Sequence, residues 1–166
     1  MTRNKYRHTQ IGWVSMAALA IGLAIMLTVF GNMTRVQISM INFVALVGLF
    51  LLLFLVFCAL TTEIDGEKFR ARFGVLGWPG KSCELRDIAA AVPTRLTWTS
   101  GWGIRITTRG WLFNVSGRGA VIVGLMNGKQ FLIGTDEPVK LADAINQSLS
   151  REPVYTFIRG AGITPE

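Results

Sequence analysis

The residues able to do chemistry in this chain of 166 are few and scattered. His8 is the only histidine, and it falls in a basic N-terminal arm with Arg3, Lys5 and Arg7. Nucleophilic catalysis needs a base beside its nucleophile. His8 reads instead as a solvated tail residue, remote from the folded part. No Cys or His cluster has metal-ligand spacing. Glu63, Asp65 and Glu67 alternate, so a strand would put them on one side, where calcium binding or acid–base work is chemically conceivable. A solvated strand edge and turn explains them more simply. The run Ser116-Gly117-Arg118-Gly119-Ala120 could cradle a phosphate with backbone N–H groups. It lacks the lysine-hydroxyl ending of a phosphate-binding loop and no helix follows, so a strand-to-strand turn is the default. Cys58 and Cys83 read as free thiols in a reducing compartment. The sequence predicts no catalysis, no cofactor and no metal.

One stretch exceeds that background. Residues 88–135 contain no acidic side chain but hold Arg95, Arg105, Arg109, Arg118 and Lys129, with Trp98, Trp102 and Trp111 interleaved. Near an anionic leaflet each basic residue contributes about 1 kcal/mol. Trp78, in a Gly- and Pro-containing loop, adds a further interfacial anchor. Trp78, Arg95, Trp98, Trp102, Arg105, Arg109, Arg118 and Lys129 therefore form a candidate surface for anionic headgroups or a membrane protein partner. The plainer reading is a solvated charged face over core tryptophans. Nucleic acid is not expected, since residues 61–166 carry 13 basic against 10 acidic side chains and show no recognition helix.

Two apolar runs must position all of this. Residues 11–30 and 39–60 carry no charge, and at ~1.5 Å per helical residue each reaches ~30 Å, the thickness of bilayer hydrocarbon. A backbone in hydrocarbon satisfies its own hydrogen bonds, so both are predicted transmembrane helices, joined by a short turn over residues 31–38. A secretory signal is the rival reading of the first run, but the run exceeds the ~7–15 residues of such a core and a second span follows at once. Neither run holds the ionisable groups that ion or proton pathways need, so the hairpin is an anchor. Small-residue pairs, Ala18 with Gly22 and Ala20 with Ala24, suit packing of one span on the other or a homodimer face. Three basic residues before the first span against Arg35 alone in the turn place both termini in the cytoplasm.

After residue 60 the texture changes to short alternating runs broken by glycine. Residues 61–64 and 68–73 flank Asp65-Gly66; 75–81 is a loop; 85–92 is a strand ending at Pro93; 96–99, 104–107 and 111–115 are further strands. Residues 120–126 and 129–133 flank Asn127-Gly128, a strong hairpin signal. Thr135 or Asp136 offers an N-cap before Pro138, and Leu141, Ile145 and Leu149 form an apolar stripe with Ala142 beside it. The division is an arm and hairpin over 1–60, a soluble domain over 61–150, and a tail over 151–166.

About seven strands closed by one helix is the order of a pleckstrin-homology-like (PH-like) barrel or sandwich, an α+β fold. The chain resembles a family of small bacterial membrane proteins of this kind. The resemblance is carried by Arg72-Phe73-Gly74 with Gly77-Trp78-Pro79, Asp87-Ile88, Gly101-Trp102-Gly103-Ile104-Arg105, Asn114-Val115-Ser116-Gly117 and Ala120-Val121. It continues through Asn127-Gly128-Lys129 and Ile133-Gly134-Thr135-Asp136-Glu137-Pro138 to Leu141. The resemblance implies fold and membrane attachment, and brings no catalytic residues. The resulting expectation is a two-span inner-membrane protein whose PH-like domain binds or scaffolds at the cytoplasmic face. The alternative is a structural subunit of a larger complex, assembled through the hairpin, with oligomeric state left open.

Overall fold

Side-chain period separates the chain into its parts. Where apolar residues run without interruption the backbone is helical, and where they alternate it is extended. The structure, a computed structural model, describes residues 6–32, 40–97 and 101–149. Helices α1 (Trp13–Asn32) and α2 (Met40–Phe57) are long enough and apolar enough to cross a membrane. No residue of the α1 span is buried, and only Val56 of α2 is. An apolar surface of that extent is not stable in water. The helices touch through Phe30 stacked on Phe43, with ring centroids 4.3 Å apart, and through Gly22, which faces the Phe50 ring. Gly22 thus packs α1 on α2. The link over 33–39, with Arg35, and the tail over 151–166 lie outside the described residues.

The basic arm differs from its sequence expectation. Tyr6–Ile11 is a strand, β1, antiparallel to β2 (Ala59–Asp65), with Ile11 opposite Ala59 and Tyr6 opposite Ile64. Both helices therefore leave one end of one sheet. This sheet continues through β3 (Lys68–Phe73) to β4 (Gly80–Glu84), all antiparallel. The Asp65-Gly66 turn forms as expected, and β4 replaces the end of the expected loop. After a 3-10 turn at Leu85–Asp87 comes a second sheet. It contains β5 (Ile88–Arg95), β6 (Gly103–Thr107), β7 (Gly110–Asn114), β8 (Gly119–Leu125) and β9 (Gln130–Gly134). Its order is β5-β8-β9-β7-β6, with β7 and β9 parallel. The soluble part is thus two sheets of four and five strands with a C-terminal helix, and the sheets do not close into a barrel. Strand β5 runs on through Pro93, because β5 is an edge strand and proline there removes no ladder bond. Leu96 and Thr97, expected in a strand, lie outside regular structure.

Helix α3 (Pro138–Ser148) begins with Glu137 at its N-cap, later than expected, while the Thr135 hydroxyl accepts from the Glu137 N–H (3.2 Å). Its stripe Leu141, Ala142 and Ile145 is buried against Leu60, Ile64, Phe69 and Phe73 of the first sheet and Phe113, Val121, Val123 and Ile133 of the second. Burying each such large side chain contributes about 1.5–3 kcal/mol. The Asn146 amide both donates to the Ala91 carbonyl (2.8 Å) and accepts from its N–H (2.9 Å), which covers the open edge of β5. A smaller cluster of Leu96, Leu112, Ala120, Ile122 and Leu132 fills the other face of the second sheet.

Candidate functional site

The junction between sheets and helices is built from both ends of the sequence. The Gly12 N–H donates to the Cys58 carbonyl (2.7 Å), closing the chain where strands become helices. A Cβ at residue 12 would lie 2.4 Å from the Phe57 carbonyl oxygen, so only glycine fits. The second sheet is tied to the same point. The Ser15 hydroxyl donates to the Val115 carbonyl (2.6 Å), the Ser116 hydroxyl to the Ile11 carbonyl (2.9 Å), and the Gln10 amide to the Ser116 carbonyl (2.9 Å).

The loop over residues 74–79 docks on the end of α2. The Gly74 N–H donates to Ala59 O (2.8 Å) and the Val75 N–H to Leu55 O (3.3 Å). Gly74 has φ +60°, and a Cβ there would sit 2.1 Å from Leu55 O. This pins the loop beside the helix and turns Val75, Leu76 and Trp78 outward, at 77%, 64% and 74% exposure. The Trp78–Pro79 peptide is cis. Trp13, 68% exposed, opens α1, and Trp102 stands on a third segment at the same end. Tryptophans and aliphatics thus ring the helix bases, where amphipathic rings suit a membrane–water interface.

The fold divides the other candidates. Arg95 and Arg118 line one cavity of about 670 Å³ with the Gly117–Gly119 turn, Gln10 and Asp136. Arg118 also borders, with Trp102, Leu96 and Val14, an apolar slot of about 220 Å³ at the first turn of α1. The Arg105 guanidinium lies over Gly101. Arg109 occupies the β6–β7 turn and Lys129 the β8–β9 turn, both at the end of the second sheet away from Val115 and α1, though Arg109 also lines, with Arg95, Leu96 and Leu132, a third cavity of about 260 Å³. Trp111 is on β7 beside the exposed Ile106, also towards that far end. Trp98 lies outside the described residues.

His8 corrects its expectation. It is part of β1, and its Nε2 lies 2.6 Å from Asp136 Oδ1, with Nδ1 3.5 Å from Glu137 Oε2. The arm is therefore clasped to the start of α3. Glu137 also binds Lys140, whose ammonium is pushed up by that hydrogen bond and charge. The Tyr6 phenol is pushed up to about 12 by burial, then by the Glu137 and Asp136 carboxylates. Burial also lifts the Cys83 thiol to about 11, against a lowering by Lys81. Among the described residues no group of three His, Cys, Asp or Glu could hold a metal ion. Sequence reasoning missed His8, Gln10, Val14 and Asp136 as site residues. Their one signal was position, since three of them abut the first apolar run and Asp136 directly follows the acid-free stretch. Comparison with protein-family models and with curated proteins finds no match to this chain.

Proposed function

We infer that this chain is a membrane-anchored binding or scaffold module, a PH-like domain held at the cytoplasmic face of the inner membrane. Its work is positioning, without bond chemistry. The observation that carries the reading is the direct continuation of two all-apolar helices from paired strands, ringed by Trp13, Trp78 and Trp102. Because Ile11 pairs with Ala59, the sheets sit against the end of the hairpin, and the surface offered to headgroups is the one beside the helices. Two sheets followed by a packed C-terminal helix support the PH-like assignment. The excess of basic residues before the first span supports the orientation. The contact of Gly22 with Phe50 favours a self-packed anchor over a hairpin that assembles a larger complex.

The test is fractionation of the full chain with a reporter fused after Glu166. Retention in carbonate-washed membranes, with a fluorescent protein that matures and a phosphatase that stays inactive, is the expected result. An active phosphatase would overturn the orientation, and release by carbonate would overturn the anchor. A higher-mass crosslinked species abolished by Gly22→Leu would favour the subunit reading.

A further inference from the structure

Two cavities meet at Arg118, and together they have the composition of a phospholipid. The larger is bordered by Arg95 and Arg118 and also by Asp136 and Gln10. Neither arginine forms an ion pair among the described residues, and Arg118 spends only its Nε, on the Leu96 carbonyl (3.3 Å). Gln10 is 4% exposed, yet its Oε1 has no hydrogen-bond partner. A buried acceptor without a donor is costly, and it marks a place where a donor is wanted. The smaller cavity is apolar, walled by Val14, Leu96 and Trp102, and it shares Gly117 and Arg118 with the larger. Gln10 lies three residues before Trp13, which at ~3.3 Å per strand residue is roughly 10 Å from the start of α1. Headgroups lie at that depth outside the hydrocarbon.

We propose that this paired cavity seats one phospholipid, with its phosphodiester on Arg95 and Arg118 and the start of an acyl chain in the Val14–Trp102 slot. The headgroup class follows from the other polar residues of the lining. Gln10 Oε1 and the Asp136 carboxylate, whose Oδ1 already meets His8, offer acceptors, so the headgroup carries a hydroxyl or ammonium donor beyond its phosphate, as phosphoglycerol and phosphoethanolamine do. Charge-assisted bonds from two guanidiniums supply most of the selectivity for phosphate. The inference rests on the membrane-anchored reading, because only a domain held at the bilayer meets a lipid in this pose.

The full chain in detergent, titrated with phosphatidylglycerol or phosphatidylethanolamine and followed by native mass spectrometry, tests it. One lipid per chain is expected to be retained, diacylglycerol is not, and glycerol 3-phosphate or inorganic phosphate displaces the lipid only in large excess. Arg95→Gln and Arg118→Gln should each weaken retention at least tenfold, while Lys129→Gln, in the β8–β9 turn away from α1, leaves it unchanged. Arg95 holds no other part of the fold by hydrogen bond or ion pair among the described residues, so its variant tests the site even if Arg118→Gln unfolds. Retention within twofold in the Arg95 variant, or an equal loss in Lys129→Gln, would overturn the proposal. Displacement by free phosphate at equal concentration would reassign the cavity to a soluble anion. Carbonate-resistant membrane association is scored on the same variants. A chain that stays in the membrane but ignores lipid loses this seat alone, and a chain that leaves it loses the anchor.

Discussion

The two ends of the soluble part are made differently. At the end away from the helices the strands join through tight polar turns, Asp65-Gly66, Thr108-Arg109 and Asn127-Gly128, whose side chains meet water. At the helix-bearing end the connections are longer, rich in glycine and tryptophan, and bonded to helix backbone. Both ends carry arginine or lysine, so charge does not distinguish them. Apolar exposure and backbone anchoring do. In the proposed reading, a basic residue joins the lipid-binding site only where the fold puts it beside the two long helices.

Glycine substitution should expose this contrast most sharply. Gly12→Val and Gly74→Ala each drive a side chain into the carbonyls of α2, at 2.4 and 2.1 Å for the first carbon. Each should cost about 3 kcal/mol or more, from overpacking at both positions and the left-handed backbone of Gly74. Gly128→Ala, at φ +79° with open space around it, should cost only about 1–2 kcal/mol. Thermal unfolding in detergent checks the ranking, and equal losses would erase the distinction between the ends. His8→Ala comes next, with an expected loss of about 1 kcal/mol, because its pairing with Asp136 is partly exposed.

A smaller effect concerns pH. The Tyr6 phenol is neutral in the fold up to about 12, whereas an unfolded tyrosine ionises near 10. The unfolded state binds fewer protons between those values, so stability present below pH 10 is lost as pH rises towards 12. Tyr6→Phe should lessen that slope, read from unfolding curves at pH 9 and 11, leaving the part of the same sign that the raised Cys83 thiol contributes. The Cys83 thiol, raised to about 11, should alkylate slowly at pH 8 and accelerate as pH approaches that value. The last test leaves stability untouched. Brominated lipids should quench Trp13, Trp78 and Trp102 in single-tryptophan variants and spare Trp111. Quenching of Trp111 would mean that both ends meet lipid.

Much of this was legible in the residue order. The two apolar runs, the Asp65-Gly66 and Asn127-Gly128 hairpins and the Leu141–Ile145 stripe each announce themselves through period or turn chemistry. Strand β1 does not, because its inward residues are Tyr6, His8 and Gln10, two of them polar, and no apolar alternation results. Strand β4 is Gly-Lys-Ser-Cys-Glu, an edge strand with little buried, and its pairing comes from β3 rather than from its own pattern. The candidate surface was legible as a composition and not as a place. Arg95, Arg118 and Lys129 all read as basic residues of one stretch, and only strand direction sends Lys129 to the far end. Asp136, one residue past the acid-free stretch, turns out to border the same cavity as Arg95 and Arg118.

The pairing of Ile11 with Ala59 has a consequence for the two long helices. Neighbouring strands lie ~4.8 Å apart and packed helices 8–10 Å, so the chain must splay within the residues around Gly12 and Cys58. Helix rotation is fixed at that splay. A one-residue slip of the ladder would flip every β1 side chain to the other face and turn the following helix by about 100° against its neighbour. Gly22 would then no longer meet Phe50. Strand register therefore works as an index that sets which faces of α1 and α2 turn towards each other and which turn outward.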